Sequence, residues 1–240
     1  MKANDKDIRA ERKRRIQEMF QAIAGRYDLL NHLLSAGVDV YWRRRALALV
    51  RHPRPDRVLD LATGTADFAL AALRLRPRRI VGIDVASNMI HLGAAKLSRR
   101  GMAGKILLLG GDAEALPFPD GSFDVATAAF GVRNFGDILS GLKETWRALA
   151  SGGEFIVLEF TEPRIPVFSQ LYTFYFRRIL PLVGGVISGN RKAYSYLPES
   201  VGTVPQGEAF LNLMEEAGFS QTRATSLTLG ICSVYQGIKP

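Results

Sequence analysis

Cysteine is almost absent from this chain of 240 residues, where Cys232 stands alone. A single thiol excludes an intramolecular disulfide framework and fits a reducing compartment. No uncharged apolar run approaches the length of a membrane span. The basic opening "MKANDKDIRAERKRR" lacks the apolar stretch of a secretory signal. Internal repeats and low-complexity tracts are missing as well. The expected location is the cytoplasm.

What is present is an ordinary globular composition, 47% hydrophobic and 23% charged. The length suits one large α/β domain with appendages. The net charge of +9 is less ordinary, with basic clusters at Arg12–Arg15, Arg43–Arg45 and Arg74–Arg79. Such clusters suit nucleic acid, the anionic face of a membrane, or a solvated surface, and charge alone does not choose among them.

The most informative stretch runs from Val58 to Asp84, "VLDLATGTADFALAALRLRPRRIVGID". An apolar run, a glycine-bearing turn, a helical pattern and a second apolar run ending in aspartate spell a parallel strand–helix–strand unit. Such a unit puts its first turn and the end of its second strand on one edge of the sheet, where nucleotide-like ligands bind. Gly64 lets the backbone approach a ligand closely. Asp84, 20 residues further on, is placed to accept hydrogen bonds from both hydroxyls of a ribose.

Elsewhere, Ile16, Met19, Phe20, Ile23, Tyr27 and Leu30 recur at helical spacing, predicting amphipathic helix over about residues 8–34. A second helix is expected from Trp42 to Val50, ended by Pro53 and Pro55. Ser87 is the expected N-cap of a helix after Asp84. Strands are expected at Lys105–Asp112, Val125–Phe130 and Glu154–Phe160. Between the last two lies a helix carrying Leu139, Leu142, Trp146 and Leu149, closed by Gly152 and Gly153. Residues 163–205 break this rhythm with crowded aromatics beside Arg177 and Arg178, as a cover over the sheet or an element at a membrane interface would. A helix around Phe210–Ala217 and two strands close the chain. Alternating strands and helices predict an open, doubly wound, mainly parallel sheet.

The turn "ATGTAD" is not the dinucleotide fingerprint, because Ala62, Gly64 and Asp67 stand where its three glycines would be. One glycine, the Thr65 hydroxyl and the Asp60 carboxylate better suit a ligand without phosphates. S-adenosylmethionine fits, with a polar amino-acid tail, a ribose and a cationic sulfonium. In "GDA" (Gly111–Ala113), Asp112 supplies a third acidic position at a strand end, within reach of an adenine amino group.

The glycine turn, "GID", "GDAEALPFPDGSFD" and "LASGGEFIVLEF" resemble class I S-adenosylmethionine-dependent methyltransferases. "RYDLLNHLLSAGVDVYWRR" (Arg26–Arg44), "FGVRNFGD" (Phe130–Asp137), "VLEFTEP" (Val157–Pro163) and "YSYLPESV" (Tyr194–Val201) resemble the narrower ubiquinone/menaquinone biosynthesis C-methyltransferase family. The resemblance covers about residues 18–237. It implies a single methyltransferase domain with a seven-stranded, Rossmann-like sheet: helical cap 1–52, cofactor-binding core 53–162, apolar helical insert 163–205, and closing helix and strands 206–240. It further implies S-adenosyl-L-methionine as cofactor and methyl transfer to a ring carbon of a polyprenylated quinol. Carried over by position, Thr65, Asp84, Asp112 and Ala113 contact the cofactor, beside Asp60 and Gly64 from the turn. Two departures stand out: Thr63 and Ala66 occupy positions where glycine is frequent, and Asp39 stands where histidine is frequent.

In such a reaction the methyl sulfonium is already activated, so neither metal nor covalent intermediate is required. The ring carbon becomes nucleophilic when its neighbouring hydroxyl loses a proton, which calls for a base and a nearby cation. Arg133 is the candidate cation and Asn134 its orienting partner. Tyr27, His32, Asp39 and Tyr194 are candidate bases or ring positioners that sequence does not rank. The expected substrate is demethylmenaquinol, with the ubiquinone branch or dual specificity as alternatives. Expected partners are the lipid quinol and the inner face of the cytoplasmic membrane, with the oligomeric state left open, a homo-oligomer included. A nucleic-acid methyltransferase is disfavoured because the N/D-P-P-Y/F tetrapeptide is missing and Cys232 falls in a final strand. A non-catalytic quinone-binding scaffold is the alternative from a different class, and a dehydrogenase is disfavoured by the missing glycines.

Overall fold

The apolar run after Pro55 forms β1 (Arg57–Leu61), and its neighbours in the sheet are β2 (Arg79–Asp84) and β4 (Phe123–Ala129), both parallel to it. The architecture is that of a computed structural model, which describes residues 14–22, 37–163 and 204–240, with positions 11, 35, 165, 170, 173, 174, 178 and 200–202. Tyr27, His32, Tyr194 and most of the 163–205 insert lie outside the described residues.

With β3 (Ile106–Gly110), β5 (Leu149–Phe160), β6 (Ser220–Leu227) and β7 (Cys232–Ile238), the sheet has seven strands in the order β3-β2-β1-β4-β5-β7-β6. Only β7 runs antiparallel to its neighbours. The seven-stranded, mainly parallel expectation is borne out. Strand residues alternate between two cores: Leu59, Leu61, Ile83 and Phe155 on one face, Val58, Ile80, Val125 and Ile156 on the other. A sheet covered on both faces needs such near-continuous apolar strands. The chain order reverses between β1 and β4, so a crevice opens there at the strands' carboxyl ends.

The helices are α1 (Val38–Ala48), α2 (Asp67–Ala72), α3 (Ser87–Arg99), α4 (Ile138–Ala148) and α5 (Glu208–Glu216). Three expected boundaries shift. The first of these helices starts at Val38 rather than Trp42, because Asp39 pairs one turn on with Arg43 and accepts a hydrogen bond from Ser35 Oγ at 2.8 Å. Ser87 is the first helical residue and not the cap; Ala86 precedes the helix in extended conformation. Leu149 leaves α4 to pair with Phe123, so β5 begins before the glycines, and Gly152 (φ +77°) turns the chain within it. The helical stretch 14–22 lies over the sheet edge, where Gln17 Nε2 donates to the Val85 carbonyl at 2.8 Å.

Candidate active site

Three turns meet at the switch point, and a carboxylate ties two of them together. Asp84, at the end of β2, accepts from Gly64 N through Oδ2 and from Ala86 N through Oδ1, both at 2.8 Å. Burial raises the Asp84 pKa, while the bonds from Ala86 and Gly64 act in the opposite direction. The turn after β1 needs left-handed backbone at Ala62 (φ +48°), Gly64 (φ +55°) and Ala66 (φ +71°). Gly131, after β4, packs so tightly on this turn that a Cβ there would lie 2.4 Å from that of Ala62.

Asp60 sits beneath the turn, fully buried, accepting from Thr63 Oγ1 at 2.6 Å and Thr127 Oγ1 at 2.7 Å. Burial pushes its pKa up to about 6, against the lowering effect of those hydroxyls and of Arg43. The folded protein therefore holds this proton more tightly than the unfolded chain. Stability contributed by the protonated form is fully present below about pH 4 and is lost as pH rises through about 6. The difference amounts to about 3 kcal/mol. Asp60→Asn mimics the protonated form. In urea unfolding it is expected to match wild type near pH 4 and to be more stable by up to about 3 kcal/mol near pH 7.

Gly64, Asp84, Asp112, Ala113 and Asn134 line one cleft with about 690 Å³ of free space, part of it open to solvent. Asp112 Oδ1 accepts from Glu114 N at 3.0 Å. Met89, Phe20 and Ile16 add apolar surface, and Phe20 packs on Ala86 and Met89. Among the described lining residues there are three carboxylates, Asp84, Asp112 and Glu114, and no basic side chain. A pyrophosphate would meet net repulsion in such a cleft, whereas a cationic ligand is attracted.

A smaller pocket with about 370 Å³ of free space, part of it open to solvent, adjoins this cleft and shares Ala62, Gly64, Ala129 and Phe130 with it. It holds the other expected turn residues, Asp60 and Thr65, together with Arg43. The Thr65 hydroxyl accepts from Lys96 Nζ at 3.0 Å, and the same ammonium pairs with Asp67 at 2.8 Å. Arg43 pairs with Asp39 and lies 5.8 Å from the Phe130 ring centroid. Phe130 stacks on Phe160 at 4.4 Å, and Trp42 meets both edge-on.

Arg133 does not line the cleft. It is buried, with Nη1 donating to the Phe130 carbonyl and, at 2.6 Å, to Glu159 Oε1. Its guanidinium lies 5.6 Å from the Phe160 ring centroid. Asp39, a candidate base, is engaged by Arg43 and Ser35. Sequence reasoning missed Glu159, Glu114 and Lys96. An acidic residue inside the apolar strand "IVLEF" was a signal for the first, since a buried carboxylate requires a partner.

Residues 7–239 match the ubiE/COQ5 methyltransferase family. The chain is 49% identical over 223 residues to demethylmenaquinone methyltransferase of Thermus thermophilus, covering 92% of this chain and 100% of that protein. It is 46% identical over 232 residues to ubiquinone/menaquinone biosynthesis C-methyltransferase UbiE of Geobacter sp. strain M21, covering 96% and 98%. Solved structures share the fold at lower identity. An S-adenosylmethionine-dependent methyltransferase from Thermotoga maritima aligns with TM-score 0.66 and 19% identity over 94% of this chain and all of that one. The cyclase SpnF aligns with TM-score 0.67 and 16% identity over 94% and 95%. With a phosphate-averse cleft at the switch point and this match along its length, the chain belongs to the ubiE/COQ5 methyltransferase family and uses S-adenosylmethionine as its methyl donor.

Proposed function

We propose that the chain methylates a ring carbon of demethylmenaquinol, giving menaquinol. The observation that carries this reading is the acidic cleft at the β1–β4 reversal, with Phe130 in its wall, in a chain 42–49% identical to proteins named demethylmenaquinone methyltransferase. When bound, the cofactor supplies a methyl group on a positively charged sulfur. Asp84 keeps lone pairs for the ribose hydroxyls beyond its two backbone bonds. Asp112 and Ala113 receive the adenine, and Gly64, Thr65 and Asp60 surround the amino-acid tail. Phe130, present in the walls of both cavities, offers a face on which a quinol ring can stack.

The quinol hydroxyl would give up its proton before the transfer and the ring carbon its own after it, so that, with the hydroxyl restored, one proton would pass to solvent for each methyl transferred. Asn134, at the cleft wall, is assigned the hydrogen bond to the developing phenolate oxygen. Arg133, its neighbour in the chain, is assigned the role of cation, its charge offset in part by Glu159. Tyr27 is assigned to positioning the ring. Alignment of methyl and ring carbon supplies much of the acceleration. A polyprenyl tail resides in a bilayer, so the chain works at the membrane's inner face; among the described residues no helix is long and apolar enough to cross it.

A second reading, methylation of the benzoquinol of the ubiquinone branch as well, is favoured by the relatives named for both pathways. Incubation with labelled S-adenosylmethionine and reduced quinones of both classes separates the two. Label is expected in the naphthoquinol. Label in the benzoquinol alone rejects the first reading, and label in neither rejects both.

A further inference from the structure

Two basic clusters far apart in the sequence come together on one face. Arg44 of α1, Arg74 in the turn after α2 and Arg100 at the end of α3 line a groove with about 1220 Å³ of free space, open to solvent. All three arginines are exposed, and Arg74 Nη1 donates to the Arg44 carbonyl at 3.0 Å. The acidic residue in that groove, Asp67, is already paired with Lys96. Arg45, also exposed, extends the positive face along α1.

Apolar side chains stand beside this charge. Val40 is 40% and Tyr41 51% exposed on the first turn of α1. Exposed large apolar residues flanked by arginines suit the headgroup boundary of a bilayer better than bulk water.

Arg43 and Asp67 border both the groove and the smaller pocket, which in turn shares Ala62 and Gly64 with the cofactor cleft, so the groove lies on the same side of the molecule as the cofactor turn. We propose that this face, the α1–α2 groove with Val40 and Tyr41, is where the chain docks on a bilayer containing anionic lipids. Arginines bind the phosphates and the apolar residues enter the interface. The proposal rests on the quinol reading above for the choice of a bilayer over a polynucleotide as occupant.

The test is sedimentation of the full chain with phosphatidylcholine vesicles, with and without about one third phosphatidylglycerol. Binding is expected to the anionic vesicles alone and to weaken as salt is raised. Arg44→Glu/Arg74→Glu/Arg100→Glu is expected to lower the partition coefficient at least about tenfold, whereas lysine at the same three positions preserves it. Glutamine at those positions gives a smaller loss and guards against misfolding of the reversed variant. Unchanged binding of the glutamate and glutamine variants overturns the proposal, as does equal binding of wild type to neutral vesicles. Retention of duplex DNA by the wild type but not by the glutamate variant, with no binding of the wild type to anionic vesicles, overturns it in favour of a polynucleotide face. Turnover of a short-chain quinol in detergent is expected to be equal in wild type and variants. Absence of that turnover in wild type would sink the methylation reading while leaving the vesicle result standing.

Discussion

Asp84→Ala is expected to weaken S-adenosylmethionine binding at least about a hundredfold in calorimetry. Each hydrogen bond from a ribose hydroxyl to an ionised carboxylate contributes about 1.5–3 kcal/mol, and two are lost together. The same carboxylate holds Gly64 N and Ala86 N, so its removal also frees the turn after β1 from the start of α3. Asp84→Asn separates the two effects, since the amide oxygen still accepts one backbone bond while the charge is gone. Its expected affinity is intermediate. Wild-type affinity in the alanine variant would show that the ribose lies elsewhere.

Arg133→Ala is expected to slow single turnover about a hundredfold or more while changing cofactor affinity by less than about threefold. Part of the damage is structural. Arg133 and Glu159 form a buried pair, and deleting one partner strands the other charge, at a cost of about 3–5 kcal/mol. Arg133→Met/Glu159→Leu removes both charges and keeps the volume, so its stability is expected to recover toward wild type. If its turnover recovers with its stability, Arg133 is a structural residue and the phenolate role fails. Slow turnover in a stable double variant is the result the assignment requires.

The sheet was legible in the sequence because its strands are near-continuous apolar runs punctuated by Gly, Pro and Asp. The cleft residues on the turns were legible too: Gly64, Asp84, Asp112 and Ala113 each sit where a strand ends, and strand ends in a parallel sheet share one edge. What stayed hidden was pairing across the fold. Nothing near Arg133 in the chain announces Glu159, 26 residues away, and Lys96 meets Thr65 only because α3 returns over the turn after β1. Asp39 is a candidate base by sequence and precedes the expected helix start at Trp42, yet it stands in the first turn of α1 and pairs with Arg43. The spacing of Ile16 and Phe20 predicts one apolar face of a helix; the two side chains line the ligand cleft, a location periodicity cannot supply.

Alanine at positions 62 and 66 holds positive φ angles that glycine adopts at far lower steric cost. The methyl groups disfavour that backbone, so the turn keeps its shape through the contacts around it, Gly131 against Ala62 and the Asp84 carboxylate on Gly64 N. Order there is imposed when the polypeptide folds, once, and not again at each catalytic cycle. An arriving donor meets a receptor already set to its outline, and less of its binding energy is consumed in stiffening the receptor.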